Sequence, residues 1–285
     1  MSRPLFLHIQ AAIEAHEPYF VQRRDNSGRL GFSSLQKITA ALRMLAYGVT
    51  ADFIDEYLKI GETTALRILK MFVKTVVSIF SEEYLRKLNN DDIVILLAVG
   101  EKCGFSSMLG SIDCMHWKWK NCPTAWHGRT PTVNYTINGH NYAIYPQWAT
   151  FVKTILAPQG NKKKYLATPQ ESARKNVERA FGVLQARFAI IRGPAQFFHI
   201  ETLNEIKMAR IILHNMIIED ERADNGEEKF EYEQLPKTTH DLVLTGSTLE
   251  FSQFIQRHHA LRDRRIHSQL QTDLIEHLWQ QYSVA

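Results

Sequence analysis

Several things are scarce in this chain of 285 residues, and each scarcity excludes something. Three cysteines, Cys103, Cys114 and Cys122, are too few and too odd in number for a disulfide framework. That points to a reducing compartment, cytosol or nucleus. The longest apolar run, Ile93–Val99, falls far short of the roughly 20 residues that cross a bilayer, so no membrane partner is expected. The opening MSRPLFLHIQ carries no extended apolar core after its basic start, which argues against a secretory signal. There is no internal repeat. The scarcity with most chemical content is local: residues 114–177 contain no Asp and a single Glu, Glu171, against nine Lys or Arg. Such a segment attracts phosphates and cannot by itself cage divalent cations.

What is present is a globular balance, with 45% apolar and 22% charged residues and a mild net charge of +4. Residues 35–80 read as a helical cluster. Leu35–Tyr47 has helical apolar spacing and stops at Gly48. Thr50 caps a short helix ending near Leu58. Gly61 breaks the chain before a third helix, which starts at Thr63 or Thr64 and ends near Phe80. That third helix is two-faced: Leu69, Phe72, Val73, Val76 and Phe80 on one side, Arg67, Lys70 and Lys74 on the other. Helix, short turn and basic helix resembles a helix-turn-helix that meets nucleic acid. A helical bundle with a solvated basic face gives the same pattern.

A further helix is expected over residues 91–103. The run 108–119, MLGSIDCMHWKW, then suits a buried strand that delivers Asp113 at its end. Residues 120–167 are irregular, with short strand fragments expected near 133–137 and 149–155. Thr168, Pro169 and Glu171 read as cap, first-turn proline and capping-box acid of a helix running to about Arg187, with Val177, Phe181, Leu184 and Phe188 as its buried stripe. An apolar helix is expected over 202–219, an acidic linker over 223–248, and amphipathic helices from 249 to the end.

Asp113 and Glu178 are the acids in the right contexts for a metal-dependent phosphodiester site, where carboxylates hold two hard cations about 3.5–4 Å apart. Gly182, one turn beyond Glu178, would permit close approach. Glu171 is a poor third member. It lies seven residues from Glu178, about 10 Å along a helix. The plain alternative for Glu178 is a surface charge paired with Arg174 or Arg179. Cys114, His116, Cys122, His127 and His140 fit no common zinc spacing. Trp117, Trp119 and Trp126 interleave with Lys118, Lys120 and Arg129, a pattern that suits nucleic-acid contact or core packing. Lys162, Lys163 and Lys164 form a short basic run.

The blocks MLGSIDCMHWKWKNCPTAW (108–126), YPQWATFVKTI (145–155), ESARKNVERAFGVLQARFAIIRGPA (171–195) and IILHNMIIEDER (211–222) resemble those of the plant Harbinger-type transposases, the PIF/Harbinger family of DDE nucleases. The resemblance covers most of the chain. It implies a helix-turn-helix region ahead of an RNase H-like core, Mg²⁺ or Mn²⁺ as cofactor, and DNA cleavage. It places Asp113 at the first acid of the family's triad and Glu178 at the last. Two pieces of the family pattern are missing. After Thr130 the family continues with GDHGKPT-like residues, where this chain has Pro131. After Tyr142 it has an LADG-like stretch carrying the second catalytic Asp, where this chain has Ala143.

The expected fold is therefore mainly α with a small residual α/β part. Residues 1–103 form a helical region with its helix-turn-helix-like segment at about 35–80, and residues 104–222 form a truncated nuclease core. Strand residues Met108, Leu109 and Ile112 would be partly exposed for want of neighbours. The expected activity is DNA binding without cutting, with Arg67, Lys70, Lys74, Lys118, Lys120 and Lys162–Lys164 as the contacts and the N- or C-terminal helices as a protein-binding face. The alternatives are an active nuclease with a rearranged or intersubunit site, and a decayed or mis-spliced gene product.

Overall fold

The computed structural model describes residues 1–105, 107–112, 117–126, 136–137, 140–141, 152, 155, 158–224 and 264–284. They are mainly helical: α1 (Arg3–His16), α2 (Ser34–Tyr47), α3 (Ala51–Leu58), α4 (Glu62–Tyr84), α5 (Asn90–Lys102), α6 (Asn161–Arg187), α7 (Ile200–Asp224) and α8 (Arg264–Val284). Among the described residues the only strands are the two-residue pieces β1 (Thr136–Ile137) and β2 (His140–Asn141), paired antiparallel. The described residues fall into two compact units. Unit 1 draws on residues 1–88, 114–123 and 179–232; unit 2 draws on 89–113, 124–178 and 233–285.

Unit 1 is a helical bundle built around α4. Its residues Ala65, Ile68, Leu69, Phe72, Val73, Val76 and Phe80 are buried, and α7 covers α4 more extensively than any other helix does. From α7 come Ile206, Ala209, Ile212, Leu213 and Met216; from α1, Ile9 and Ile13; from α2, Ile38, Ala41 and Leu45. The local signals are plain. Ser33 and Gln36 form a capping box at the start of α2, and Gly48 ends it with φ 64°. A Cβ at Gly48 would sit 2.9 Å from the backbone of Ala189, so the position needs glycine for both conformation and contact. Thr50 caps α3. α4 begins at Glu62 behind Gly61 and runs one turn past Phe80. The N-terminal helix α1 has a sequence signal too: Ser2 accepts from the Leu5 N–H, and Pro4 sits in the first turn. Asp220 of α7 ties that end down, accepting from the Ser2 N–H at 2.9 Å and its hydroxyl at 2.6 Å.

A second element of unit 1 is extended. Residues 117–121 lie alongside 193–197 through a parallel bridge between Trp119 and Ala195, with Lys120 N–H donating to Ala195 O and Ala195 N–H to Lys118 O. The odd-numbered side chains reinforce the pairing. Trp117 Nε1 donates to Gly193 O at 2.9 Å, Trp119 Nε1 to Phe197 O at 2.6 Å, and Asn121 Nδ2 to Gln196 O. The Trp-Lys-Trp-Lys alternation is thus the period-two signature of a half-buried extended segment. Trp117 packs on the bundle core, while Lys118 and Lys120 stay exposed.

In unit 2, α5 is capped by a box between Asn89 and Asp92. Its apolar run, Ile93–Val99, contains no fully buried residue. Of the strand expected over 108–119, residues 113–116 lie outside the described residues, 117–119 belong to the extended pairing with 193–197, and 108–112 form no strand. Phe105 N–H bonds back to Gly100 O, Met108 N–H bonds to Phe105 O, and the Met108 carbonyl lies so close to Gly100 that a Cβ there would collide with it. The apolar stretch folds back over the end of α5 instead of extending, because no described neighbouring strand offers ladder partners. Leu109 and Ile112 are 52% and 60% exposed, in line with the expected exposure. Asp113 itself lies outside the described residues.

α6 also differs from expectation at its start. It begins at Asn161 and carries Pro169 inside the helix. Thr168, expected as its cap, donates its hydroxyl to Lys164 O at 3.2 Å. Continuing the helix through Pro169 forgoes the bond to residue 165. The expected stripe is borne out in part: Leu184 and Phe188 are buried, Val177 and Phe181 only half-buried. Unit 2 has a small apolar cluster of Phe105, Leu166 and Leu278, bordered by Met108, Ile155, Leu274 and Ile275. The acidic linker lies outside the described residues from residue 225 onward.

Candidate nucleic-acid interface

The long face of α4 that turns away from the core carries Arg67, Lys70 and Lys74, all exposed. Their spacing of three and four residues keeps them on one stripe. None has a carboxylate partner among the described residues. Ser78 continues the stripe and contacts His16 Nε2 at 3.3 Å, where α1 closes it off.

At the other end the stripe meets an arrangement that helical periodicity does not reveal. After α1, residues 17–33 form a tight excursion with a bridge between Arg24 and Leu30. Asp25 accepts from the Ser27 and Arg29 N–H groups, Arg24 donates to Gly28 O, and Gly31 N–H donates to Arg23 O at 2.9 Å. Tyr19 stands at the base of this loop, half-buried, packed edge-on against Phe20 with centroids 5.5 Å apart. Two cations approach its ring: Lys37 Nζ at 5.1 Å and the Arg67 guanidinium at 5.3 Å from the centroid. Lys37 also donates to Tyr19 O at 2.7 Å. Burial, and then the positive charge of Arg23, hold the Lys37 amine below its ordinary pKa. Burial raises the Tyr19 phenol, with Arg67 pulling the other way. Tyr19 and Lys37 are the residues that spacing misses, because they come from a loop and a second helix.

Lys118 and Lys120 are likewise exposed and without a carboxylate partner among the described residues. Arg210 is a cation of another kind. It sits in α7 only 4% exposed, with Nε and one terminal nitrogen unbonded, and burial lowers its pKa to about 10. It remains charged at neutral pH and offers nothing to the surface.

Three basic residues of unit 2 face acids. Lys162 pairs with Glu276 at 2.7 Å. Arg174 pairs with both Glu171, at 2.7 Å, and Glu178. Lys175 lies 4.0 Å from Glu171. Lys163 and Lys164 are exposed and unpaired among the described residues. Glu178 is therefore placed as its plain reading has it, an exposed helix charge paired with Arg174. Among the described residues nothing lies within 4 Å of where a Cβ at Gly182 would be. Arg174 hydrogen bonds hold the Glu171 carboxyl below its ordinary value.

Of the two acids expected to hold divalent cations, Asp113 lies outside the described residues and Glu178 pairs with Arg174; no group of three or more His, Cys, Asp or Glu that could hold a metal occurs among the described residues. Of the zinc candidates, Cys114, His116 and His127 lie outside the described residues. No described helix is long and apolar enough to cross a membrane.

The family model of the plant transposon protein matches residues 82–132 and 127–225, half of the chain. No curated protein and no solved structure matches.

Proposed function

Because the chain belongs to the plant transposon protein family, we propose that it is a transposase-derived, DNA-binding protein of Harbinger type that has lost its nuclease activity. The observation that carries the DNA-binding half is the set of exposed cations on unit 1, Arg67, Lys70, Lys74, Lys118 and Lys120, none with a carboxylate partner among the described residues. A surface of unneutralised cations is what releases counterions from a phosphate backbone. The succession of α3, the three residues Lys59–Gly61 and α4 is compatible with a helix-turn-helix, with α4 as the exposed basic helix. Lys162 contributes less than its sequence neighbours, since Glu276 already neutralises it.

The loss of cutting rests on the acids. Asp113 and Glu178 match the first and last members of the triad, and nothing matches the second Asp. In an intact site Mg²⁺ or Mn²⁺ would stabilise the attacking and leaving oxygens. Here Glu178 is engaged by Arg174, a cation competing for the same oxygens. The missing residues also take with them the strands that would hold Asp113 in an RNase H-like sheet, so the deficit is architectural. The proposed location is the nucleus.

The test is a purified-protein assay on duplex DNA. Fluorescence anisotropy across a salt series should show binding whose log K falls linearly with log[salt], and Lys70→Gln with Lys74→Gln should flatten that slope by about 1.8 for two lost phosphate contacts. Plasmid should remain intact with Mg²⁺ or Mn²⁺. Nicking that disappears in Asp113→Ala would sink the inactive reading and restore an active, rearranged site.

A further inference from the structure

We propose that the outer face of α5 is a self-association surface, on which two copies of this chain pack antiparallel with Asp91 of each against Lys102 of the other. The inference concerns unit 2 alone and does not depend on the DNA-binding reading above.

This helix is well capped and poorly covered. Asn89 and Asp92 form its capping box, Asp91 stands in its first turn and Lys102 in its last. Both charges suit the helix dipole. Its buried positions are Asp92 and Gly100, while the apolar residues between them, Ile93–Val99, reach no full burial. Gly100 marks the inward side, since the Met108 carbonyl lies against it. At about 100° per residue, the side opposite Gly100 carries Asp91, Val94, Ile95, Ala98 and Lys102, with Val99 and Glu101 at its two edges. The exposures agree: Val94 is 52% and Val99 53% exposed, Asp91, Ala98 and Lys102 are exposed, and Ile95 is half-buried. Neither Asp91 nor Lys102 has a charge partner among the described residues. The face is thus an apolar stripe with a free acid at one end and a free base at the other.

That order is its own complement when read backwards. Centring an antiparallel pair between residues 96 and 97 sets Asp91 against Lys102, Val94 against Val99 and Ile95 against Ala98, and each contact occurs twice. A two-fold interface requires this, because residue i meets j and j meets i. Small Ala98 facing larger Ile95 lets the two stripes interdigitate. A parallel pair would set Asp91 against Asp91 and Lys102 against Lys102, so charge selects the antiparallel order. The same order brings Glu101 toward the positive end of the other helix. Nucleic acid is the wrong occupant, since Asp91, Asp92 and Glu101 outnumber Lys102 on this helix. With 13 residues, α5 is about 20 Å long. One such helix from each copy falls short of a standard interface, so the dimer is a weak one, with a dissociation constant on the order of 100 μM.

The experiment is sedimentation velocity of the full chain from low to several hundred micromolar, where a reversible monomer–dimer equilibrium is expected. Asp91→Lys sets cation against cation at both ends of the pair, and Lys102→Asp sets acid against acid. Each should weaken the dimer about tenfold. Mixing the two variants should restore it, because every charge contact between the unlike copies is then attractive. That recovery distinguishes a second copy from any other occupant of the face. Val99→Lys probes the apolar part. Val99 is exposed, and a cation in the last turn suits the dipole, so helical circular dichroism should match wild type while the dimer is lost. A wild type that stays monomeric throughout overturns the proposal, whether another segment of this chain or a different protein covers the face instead. A dimer left intact by Val99→Lys also overturns it, because it forms through another surface. Charge variants that each weaken the dimer and do not recover on mixing overturn the antiparallel pairing.

Discussion

Unit 1 and unit 2 use similar helices to very different ends. Among the described residues, 26 buried apolar side chains form the core of unit 1, and three form the cluster of unit 2. Charge pairing is mixed in both: in unit 2 Lys162, Arg174 and Lys175 face acids while Lys163 and Lys164 have no carboxylate partner among the described residues, and in unit 1 Arg187 faces Glu221 while Arg67, Lys70 and Lys74 have none among the described residues. A bundle with a large core can hold unbalanced charge on its surface, because the cost of repulsion is small beside burial worth roughly 1.5–3 kcal/mol for each large side chain. A unit with a thin core has little such reserve, and its helices rely on local capping and ion pairs.

That contrast is open to direct attack. Phe72 is completely buried in unit 1 and Leu166 in unit 2. Phe72→Ala should cost about 3–5 kcal/mol and unfold the bundle as a whole, while Leu166→Ala should fall toward the lower end of about 2–5 kcal/mol. Hydrogen exchange should then show protection lost across α1–α4 and α7 in the first variant and only in unit 2 in the second. Equal, global effects of the two would erase the distinction.

A smaller effect is expected at Pro169. Its ring occupies the interior of α6, where proline is about 3 kcal/mol less favourable than alanine. Pro169→Ala should stabilise α6 by about 1–3 kcal/mol and raise helical circular dichroism. Unchanged or weakened helicity would mean that the proline is accommodated without cost.

The smallest effect concerns pH. Burial, then Arg187, lowers the pKa of His214 in α7, with Glu221 opposing. The unfolded chain therefore binds more protons than the folded one just below pH 6.5, so stability falls as pH drops through that window and levels off below the folded pKa. The half-buried ring keeps some water, which limits the size of the change. Denaturant midpoints from pH 7.5 to 5 should decline less in His214→Gln than in wild type. Parallel declines would assign the pH dependence to other groups.

Much of unit 1 is legible in the sequence because its signals are local. Gly48 stops α2, Thr50 caps α3, and the stripe from Leu69 to Phe80 marks the buried face of α4. The capping signal at Thr168 misleads, since α6 already runs through it from Asn161. The apolar run at 108–112 looks like a strand until its partners are sought, and the backbone turns back on Gly100 instead. The pairing of Glu178 with Arg174 is readable from their spacing of four. The cluster at Tyr19 is not, because Lys37 and Arg67 reach its ring only through tertiary packing.

The packing of α7 on α4 also sets a clock. The two helices are separated in sequence by the whole stretch from Tyr84 to Ile200. At about 5–20 residues per second, the ribosome needs on the order of ten seconds to deliver the second after the first. During that interval Leu69, Phe72, Val73 and Val76 have no α7 to cover them. The nascent chain thus waits with an apolar helix uncovered, and that interval is when a chaperone matters most.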